Sequence, residues 1–428
     1  MVSDGARGVA DVGVRGGRIA EIGTIDAARA ATVIKAAGLH VLPGVIDTQV
    51  HFREPGAEHK EDLASGSRSA VAGGVTAVFE MPNTNPPTTD EAALADKLAR
   101  ASGRMHCDFA FYLGATRDNI GVIPDLERLA GAAGIKVFAG SSTGSLLVDD
   151  EGALEAIVAA ISRRAAFHSE DEARLEARAG LRREGDPASH SEWRDAEAAL
   201  ISTERLVRLA EAARARIHIL HVSTAQEMAF LAEHKGVASV EVTPQHLTLA
   251  VPEAYERLGT RAQMNPPLRD ARHQAALWRG IAEGTVDVLG SDHAPHTLEE
   301  KAKPYPASPS GMPGVQTLVP VMLDHVNAGR LSLERFVELT SHGPRRLFAI
   351  AGKGRIAEGY DADLTIVDLT ATRVIEDAWI ESKSGWTPFA GRLVTGWPVG
   401  TILRGERAMW EGEIAAEARG QPIRFDLP

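Results

Sequence analysis

The sequence predicts a TIM-like (β/α)8 barrel joined to a small β-sandwich domain formed by the N- and C-terminal segments. In the central region, short apolar runs alternate with alanine-rich helical stretches. At both ends, valine- and isoleucine-rich runs are broken by glycine and charged residues, as in strands joined by turns. The predicted boundaries are residues 1–42 and 351–428 for the small β domain and 43–350 for the barrel.

The central region contains eight strand-like runs, the number that a closed barrel of this class requires. These runs are VLPGVIDTQVHF, VTAVFEMPN, MHCDFAFYLGA, IKVFAG, AAFHSED, IHILHVS, SVEVTPQHL and VDVLGSDH. The helices predicted between them span residues 62–72, 90–101, 151–163, 196–213, 225–234 and 272–283. Residues 180–195 are polar, and we expect a mobile loop there.

The two terminal segments share the same pattern of short apolar runs separated by glycine and charged residues. Residues 1–40 alternate apolar and polar positions around Gly13 and the Gly16–Gly17 pair, and similar runs return at 363–368, 400–403 and 408–410. We therefore expect the two ends of the chain to pair into one β domain.

Composition and charge limit the classes of partner and cellular location that we expect for the protein. The chain has 428 residues, with 46 basic and 58 acidic side chains and a formal charge of -12. This charge argues against nucleic acid or an anionic membrane as the main partner, so an anionic substrate needs a local basic group. Cys107 is the only cysteine, which excludes an intrachain disulfide and favours the cytoplasm. No stretch approaches the ~18–20 apolar residues of a membrane span.

Ionisable residues at the ends of apolar runs are the main chemical signal. They are His51, Lys136, His168, His221 and Asp292. The carboxyl ends of barrel strands converge on one face, where active sites of this fold are built. Nitrogen and oxygen donors together suit zinc, with manganese or iron as alternatives.

Each of these residues also has a structural interpretation. A single buried histidine or aspartate at a strand end is more often a hydrogen-bonded structural group. Lys136 could extend its amine to the barrel mouth, although buried lysine is rare unless it is paired or modified. Five such residues at five strand ends favour a shared site.

Several motifs resemble the dihydroorotase branch of the cyclic amidohydrolases, whose neighbours are hydantoinases, dihydropyrimidinases and allantoinases. They are GVIDTQVHFREPG (44–56), EMPNTNPPT (80–88), IKVFAGSSTG (135–144), HVST (221–224), MNPPLR (264–269), GSDHAPH (290–296) and GWTPFAGR (385–392). The resemblance runs from about residue 40 to residue 392.

This resemblance implies one or two zinc ions per chain and a carbamate, derived from CO2, on Lys136. His168 and His221 match the ligands of the more exposed metal, and His51 and Asp292 match those of the more buried one. Asp292 also matches the group that takes a proton from the attacking water and passes it to the leaving ring nitrogen.

The chain departs from the family at Gln49, where the usual His-x-His reads Gln49-Val50-His51. An amide oxygen is a poorer zinc ligand than imidazole. The buried metal is therefore expected to be weakly held, held through Gln49, or absent.

Substrate-binding residues follow from the same resemblance. Arg53, Asn83 and His296 match the groups that bind a ring carboxylate. Asn265 and the backbone around Gly311 match the groups that hydrogen-bond to the amide groups of the ring. A guanidinium fits a carboxylate bidentately. The alternatives are a surface ion pair of Arg53 with Glu54 or Asp62, and a turn-forming role for Asn83.

Three functions remain open. The first is a dihydroorotase, which reversibly hydrolyses (S)-dihydroorotate to N-carbamoyl-L-aspartate in pyrimidine synthesis. The second is another cyclic amidohydrolase, such as an allantoinase or a hydantoinase/dihydropyrimidinase. The third is a catalytically silent dihydroorotase-like partner protein, against which the retained Lys136, His168, His221 and Asp292 argue. We expect a small cyclic amide as substrate and a homodimer or higher homo-oligomer.

Overall fold

A barrel forms the body of the molecule in the computed structural model, which describes residues 1–3, 5–142 and 144–426. Asp4, Thr143, Leu427 and Pro428, which belong to predicted segments, lie outside these residues. Within them, the predicted eight parallel strands form one sheet in chain order. They are β6 (Val45–Val50), β7 (Val75–Glu80), β8 (Asp108–Gly114), β9 (Ala132–Phe138), β10 (Ala165–His168), β11 (Ile217–Ile219), β12 (Ala238–Val242) and β13 (Val288–Leu289).

The sheet closes on itself between its first and last strands. Val50 forms a parallel bridge with His293, and the His51 amide donates to the His293 carbonyl at 2.7 Å. Every residue of the barrel strands is buried, since side chains face either the barrel interior or the surrounding helices. This double burial explains why the strands read as nearly continuous apolar runs.

The predicted helices form around the barrel with small shifts at their ends. Aspartates cap several of them, for example Asp62, whose side chain accepts from the Ser65 amide, and Asp195, which accepts from the Ala198 amide. The helices are α1 (Leu63–Ala72), α2 (Glu91–Ala101), α3 (Ile123–Leu126), α4 (Glu151–Ala160), α5 (Glu172–Ala177), α6 (Ser189–Trp193), α7 (Ala196–Ala213), α8 (Ala225–Glu233), α9 (Pro244–Thr248), α10 (Glu253–Leu258), α11 (Ala271–Glu283), α12 (Leu298–Lys301), α13 (Leu318–Asn327), α14 (Leu333–Val337) and α15 (Gly343–Phe348). Short 3-10 turns lie at Ala27–Arg29, Ile120–Val122, Ala179–Leu181, Gly259–Ala262 and Asp377–Trp379, and a π turn at Glu338–His342.

The two ends of the chain pair as expected. Strand β5 (His40–Pro43) lies antiparallel to β14 (Leu364–Val374), and β15 (Leu393–Leu403), β16 (Glu406–Trp410) and β17 (Glu413–Ile414) continue this sheet. A hairpin of β3 (Asp11–Arg15) and β4 (Arg18–Gly23) packs on the sheet through Ile19, which clusters with Leu364 and Ile402. Strands β1 (Val2–Ser3) and β2 (Ala6–Arg7) form a further ribbon. The residue boundaries of the two domains remain a prediction.

The C-terminal tail covers the barrel end opposite the functional residues. The Gly420 amide donates to the Met105 carbonyl and the Ile423 amide to the Phe109 carbonyl, both at 2.8 Å. Phe425 packs against Phe79, with ring centroids 5.8 Å apart. The tail therefore contacts this end of the barrel, which we call the barrel floor.

A buried group of charges joins the barrel to the antiparallel sheet. Lys353 bonds to Asp108, the first residue of β8, and to Asp363, which directly precedes β14. Arg404 adds a second cation to Asp108 at 2.7 Å. In the part of the chain that the structure describes, no helix is long and apolar enough to cross a lipid bilayer.

Candidate active site

A cavity opens at the carboxyl ends of the barrel strands. The predicted site residues that line it are Gln49, His51, Arg53, Asn83, Lys136, His168, His221, Asn265, Asp292 and Gly311. Phe138, Ser142, Ala294 and Ser310 complete the lining. His296 is the predicted residue that lies outside the lining, behind Arg53. The geometry therefore brings the separate strand ends together, as the barrel prediction requires.

His168 and His221 face each other across this cavity. Nδ1 of His168 lies 3.1 Å from Nε2 of His221, and Nε2 of His168 lies 2.9 Å from a Glu170 carboxylate oxygen. Because that carboxylate accepts the proton of Nε2, Nδ1 of His168 keeps its lone pair. Burial lowers the pKa of both rings, which favours the neutral imidazole that a metal needs.

Lys136 lies in the strand next to His168 and is almost fully buried. Its Nζ donates to the Val137 carbonyl at 3.2 Å and lies 4.1 Å from the centre of the Phe138 ring. Burial lowers its pKa well below the ordinary value, which favours the uncharged amine. An uncharged amine is the form that reacts with CO2.

Asp292 stands opposite, between His51 and Gln49. Its Oδ1 lies 3.3 Å from Nε2 of His51 and accepts from Nε2 of Gln49 at 3.0 Å. The backbone of Asp292 is left-handed, with φ 44°, and that uncommon conformation turns the residue out of the strand. Oε1 of Gln49 is buried and has no hydrogen-bond partner among the described residues.

The donors present fit a zinc site once Lys136 is counted. Within the described residues, His, Cys, Asp and Glu side chains alone form no group of three or more that could hold an ion. The donors instead stand in two pairs, His168 with His221 and His51 with Asp292. A carbamate on Lys136 would add oxygen ligands to these pairs.

Arg53 occupies the wall of the cavity, not the protein surface. It is 4% exposed, and its Nε donates to the Pro295 carbonyl at 3.3 Å. Burial lowers its pKa to about 10, which leaves it charged at neutral pH. The alternative of a surface ion pair does not hold, because Glu54 bonds to Arg104 at 2.7 Å and Asp62 pairs with Lys383.

His296 contacts the guanidinium of Arg53 from behind, with Nε2 3.4 Å from an Arg53 nitrogen. The same ring nitrogen lies 3.0 Å from the Ser310 carbonyl oxygen, and Nδ1 lies 3.1 Å from Nζ of Lys60. His296 therefore supports Arg53 in this structure.

The remaining predicted residues present amide groups to the cavity. Oδ1 of Asn83 lies 2.7 Å from Nδ1 of His51, which ties Asn83 to the site beyond any turn-forming role. Gly311 has φ 137°, and a Cβ there would meet the Ala294 carbonyl oxygen at 2.5 Å. Only glycine lets the backbone approach the cavity at this point.

Three buried polar residues around the site were missed by sequence reasoning. Glu170, next to His168, is bonded through both oxygens to Nε of Arg194 at 3.1 Å. His190 contacts Asn265. The interpretation of residues 180–195 as a mobile loop is wrong for their second half, because α6 forms there and His190 and Arg194 are each 2% exposed.

Comparisons with known proteins agree with this architecture. Residues 40–408 match the amidohydrolase family. A dihydroorotase from Halobacterium salinarum is 39% identical over 99% of this chain and 98% of its own length. An allantoinase from Rubrobacter xylanophilus is 37% identical over 97% of this chain and 94% of its own. The solved structure of an L-hydantoinase from Arthrobacter aurescens superimposes with a TM-score of 0.94 at 32% identity, covering 99% of this chain and 97% of that one.

Proposed function

The chain belongs to the amidohydrolase family, and we propose that within this family it is a dihydroorotase. Its reaction would be the reversible hydrolysis of (S)-dihydroorotate to N-carbamoyl-L-aspartate. Water adds to the ring carbonyl carbon, the bond from that carbon to the ring nitrogen breaks, and a carboxylate and a ureido group result. The similarity of a Halobacterium dihydroorotase over nearly the whole chain supports this assignment.

The single observation that carries the substrate choice is the buried charge of Arg53. Its guanidinium lines the cavity, and it pairs with neither Glu54 nor Asp62, which bond to Arg104 and Lys383. A buried cation is costly unless a counter-ion reaches it. The ring carboxylate of dihydroorotate would supply that counter-ion, whereas hydantoin, allantoin and dihydrouracil carry no carboxylate.

Asp292 would carry the proton transfers. Its carboxylate would accept a proton from the attacking water and return it to the leaving ring nitrogen, acting first as base and then as acid. The hydrogen bond from Gln49 at 3.0 Å and the contact with His51 at 3.3 Å hold the same oxygen. We propose that the other carboxylate oxygen carries the proton between the water and the leaving nitrogen.

Zinc, as one or two ions per chain, would be held by His51, His168, His221, Asp292 and carboxylated Lys136, with Gln49 as a further candidate ligand. When bound, it would polarise the ring carbonyl and lower the pKa of water. Two observations support these assignments: the lone pair on Nδ1 of His168, and the buried Oε1 of Gln49, to which no described residue hydrogen-bonds. We also propose a cytoplasmic location and a homodimeric or higher assembly.

The assay that tests the assignment compares four rings. Purified protein, supplied with zinc and bicarbonate, is offered dihydroorotate, allantoin, hydantoin and dihydrouracil. We expect dihydroorotate to have the highest kcat/KM. Preference for allantoin would favour the second candidate, which the Rubrobacter allantoinase supports, and hydrolysis of none of the rings would favour a silent partner protein.

Arg53→Met tests the substrate choice directly, because it removes the charge and keeps much of the bulk. A hydrogen bond to a charged group contributes roughly 1.5–3 kcal/mol, so kcat/KM for dihydroorotate should fall roughly ten-fold to a few hundred-fold. Bound zinc should not change. Activity on an uncharged ring is the matched control, and equal losses on charged and uncharged rings would contradict the assignment.

A further inference from the structure

His190 lies directly behind Asn265, one of the amide groups that line the cavity. Its Nε2 is 2.8 Å from Oδ1 of Asn265 and 3.2 Å from the Met264 carbonyl oxygen. Nε2 also lies 3.4 Å from the Ser310 hydroxyl. The ring belongs to α6 and is 2% exposed, so water does not compete for these contacts.

The partners of the ring fix where its proton sits. A carbonyl oxygen can only accept a hydrogen bond, so Nε2 beside the Met264 carbonyl must carry a proton. Burial, with the charge of Arg194 as a second cause, lowers the pKa of His190 to about 3. The ring is therefore neutral with its single proton on Nε2. In agreement with this, Nδ1 has no hydrogen-bond partner within residues 1–3, 5–142 and 144–426.

This tautomer decides which way Asn265 faces. An N–H donor on His190 requires the oxygen of the Asn265 amide, because the opposite orientation would set two donors against each other. With Oδ1 turned to His190, the NH2 group of Asn265 faces away from His190, and Asn265 is one of the residues of the cavity wall. The site then offers a donor at this edge.

We propose that His190 is a positioning residue that locks the Asn265 NH2 toward the cavity, so that this edge selects a ring carbonyl oxygen over a ring N–H. The inference rests on the proposed function for the identity of the ring. It deepens that function, because it assigns the hydrogen-bonding polarity of the pocket to a residue outside the lining.

Two aromatic side chains pack against the ring of His190 and restrict its rotation. Trp193 and Tyr305 pack edge-on against it, with ring centroids 5.6 and 5.8 Å away. The ring therefore acts as a fixed donor. A fixed N–H donor on His190 selects one orientation of the Asn265 amide, whereas a freely rotating ring would allow both orientations.

The first test compares two substitutions at this position. His190→Phe keeps a ring and removes the donor, and kcat/KM should fall roughly 5- to 100-fold with most of the change in KM. His190→Gln retains an NH2 donor and should recover most of the loss. Bound zinc should be unchanged in both variants.

His325→Phe is the matched control for loss of a buried histidine. His325 is 5% exposed, its Nε2 lies 2.9 Å from the Thr248 hydroxyl, and it is not part of the cavity wall. This variant is expected to lower Tm and to leave KM within about two-fold. A change in KM as large as that of His190→Phe would mean that any buried histidine substitution disturbs the site.

A second test uses substrate analogues in which one or the other ring carbonyl oxygen is replaced by sulfur, a weaker acceptor. In the wild type, one of the two analogues should have a lower kcat/KM than the unmodified ring. In His190→Phe this difference should disappear, because the sulfur and the substitution remove the same contact. Asn265→Asp, which keeps the oxygen facing His190 and loses the donor, should behave like His190→Phe. This variant keeps the test decisive if His190→Phe does not fold.

The measurements are made on the cyclic amide that the wild type opens fastest, or as binding of that ring by calorimetry where hydrolysis is slow. Preference for a ring other than dihydroorotate would reject the proposed function and still test His190, since every ring in the panel carries carbonyl oxygens. Equal kcat/KM in His190→Phe and His190→Gln, or sulfur penalties unaffected by His190→Phe, would overturn the inference.

Discussion

Gln49 differs from the family pattern, and its amide has a defined orientation. The NH2 group donates to Asp292 at 3.0 Å, so the carbonyl oxygen is left buried, without a partner in the part of the chain that the structure describes. That oxygen is the atom with which Gln49 would reach a metal beside His51.

We predict that Gln49→His raises zinc occupancy of the His51–Asp292 pair when zinc is limiting, because imidazole is the better ligand. Stoichiometry of bound zinc during titration with a chelator measures this. The His168–His221 pair serves as the internal control, since its occupancy should not move. Equal and tight filling of both pairs in the unsubstituted protein would contradict the prediction.

Glu170 links a proposed metal ligand to a buried cation. Burial alone would raise its pKa, but the charge of Arg194 and the hydrogen bond from His168 outweigh burial and hold the pKa well below its usual range. We predict that Glu170→Gln destabilises the fold by roughly 3–5 kcal/mol, because Arg194 is left buried and unpaired. Zinc affinity should fall about ten- to hundred-fold, since the carboxylate orients His168.

Glu192→Gln is the matched control for this change. Glu192 pairs with Arg183 on the same segment, and both side chains are about half exposed. Denaturant unfolding should show a difference below about 1 kcal/mol for this pair. A similarly small effect at Glu170 would mean that His168 is positioned by packing alone.

Sequence reasoning reached the cavity residues because ionisable groups such as His168 and Asp292 interrupt apolar runs. It missed Arg194 and His190, which lie in a segment whose composition is that of a solvated loop. Their burial depends on partners far away in the chain, 24 residues for Glu170 and 75 for Asn265. Local composition does not contain that information.

Helix α8 carries a buried acid in its first turn. Glu227 accepts from the hydroxyl groups of Thr224 at 2.8 Å and Thr203 at 3.1 Å. Burial raises its pKa to about 7, which outweighs these hydrogen bonds. The folded protein therefore holds a proton on Glu227 at pH values where the unfolded chain has released it.

We predict that stability falls as pH rises from about 4.5 to about 7, with Glu227 contributing roughly 3 kcal/mol of that loss. Glu227→Gln is neutral at every pH. It should match the wild type near pH 4.5 and exceed it at pH 8 in urea unfolding. Exposed Glu233 on the same helix is the control, and Glu233→Gln should change stability by less than about 0.5 kcal/mol at either pH. A parallel pH profile for Glu227→Gln and the wild type would contradict the prediction.

The elements themselves were predictable, but several strand ends were not. The run VDVLGSDH predicts a strand up to the histidine, whereas β13 covers only Val288–Leu289. The parallel pairing of the barrel strands ends near His221 and Asp292, which adopt φ values of 38° and 44°. Non-glycine residues adopt such angles only when the surrounding structure imposes them, so sequence periodicity does not show where the strand ends.

Lys353 connects the barrel floor to the antiparallel sheet. Its ammonium bonds to Asp108 and Asp363, and both carboxylates are buried. We predict that Lys353→Met lowers stability by roughly 3–5 kcal/mol, because two buried carboxylates lose their shared cation. Calorimetry should show a clearly lower Tm.

Arg7→Met provides the comparison at an exposed contact. Arg7 of β2 pairs with Glu334 of α14, so this ion pair also joins the N-terminal segment to the barrel, but Arg7 is 49% exposed. Its loss should lower stability by less than about 1 kcal/mol. Equal effects of the two substitutions would mean that burial does not distinguish these contacts.

The pairing of β5 with β14 constrains the order of events during synthesis. Leu42 lies opposite Thr365, more than three hundred positions later in the chain, and the first barrel strand follows β5 after Gly44 alone. On the ribosome, the backbone of β5 therefore lacks its partner strand β14 until almost the whole chain has been translated. Such an unpaired strand edge invites association with other nascent chains. Residence on chaperones until translation ends is the expected consequence for this protein in the cell.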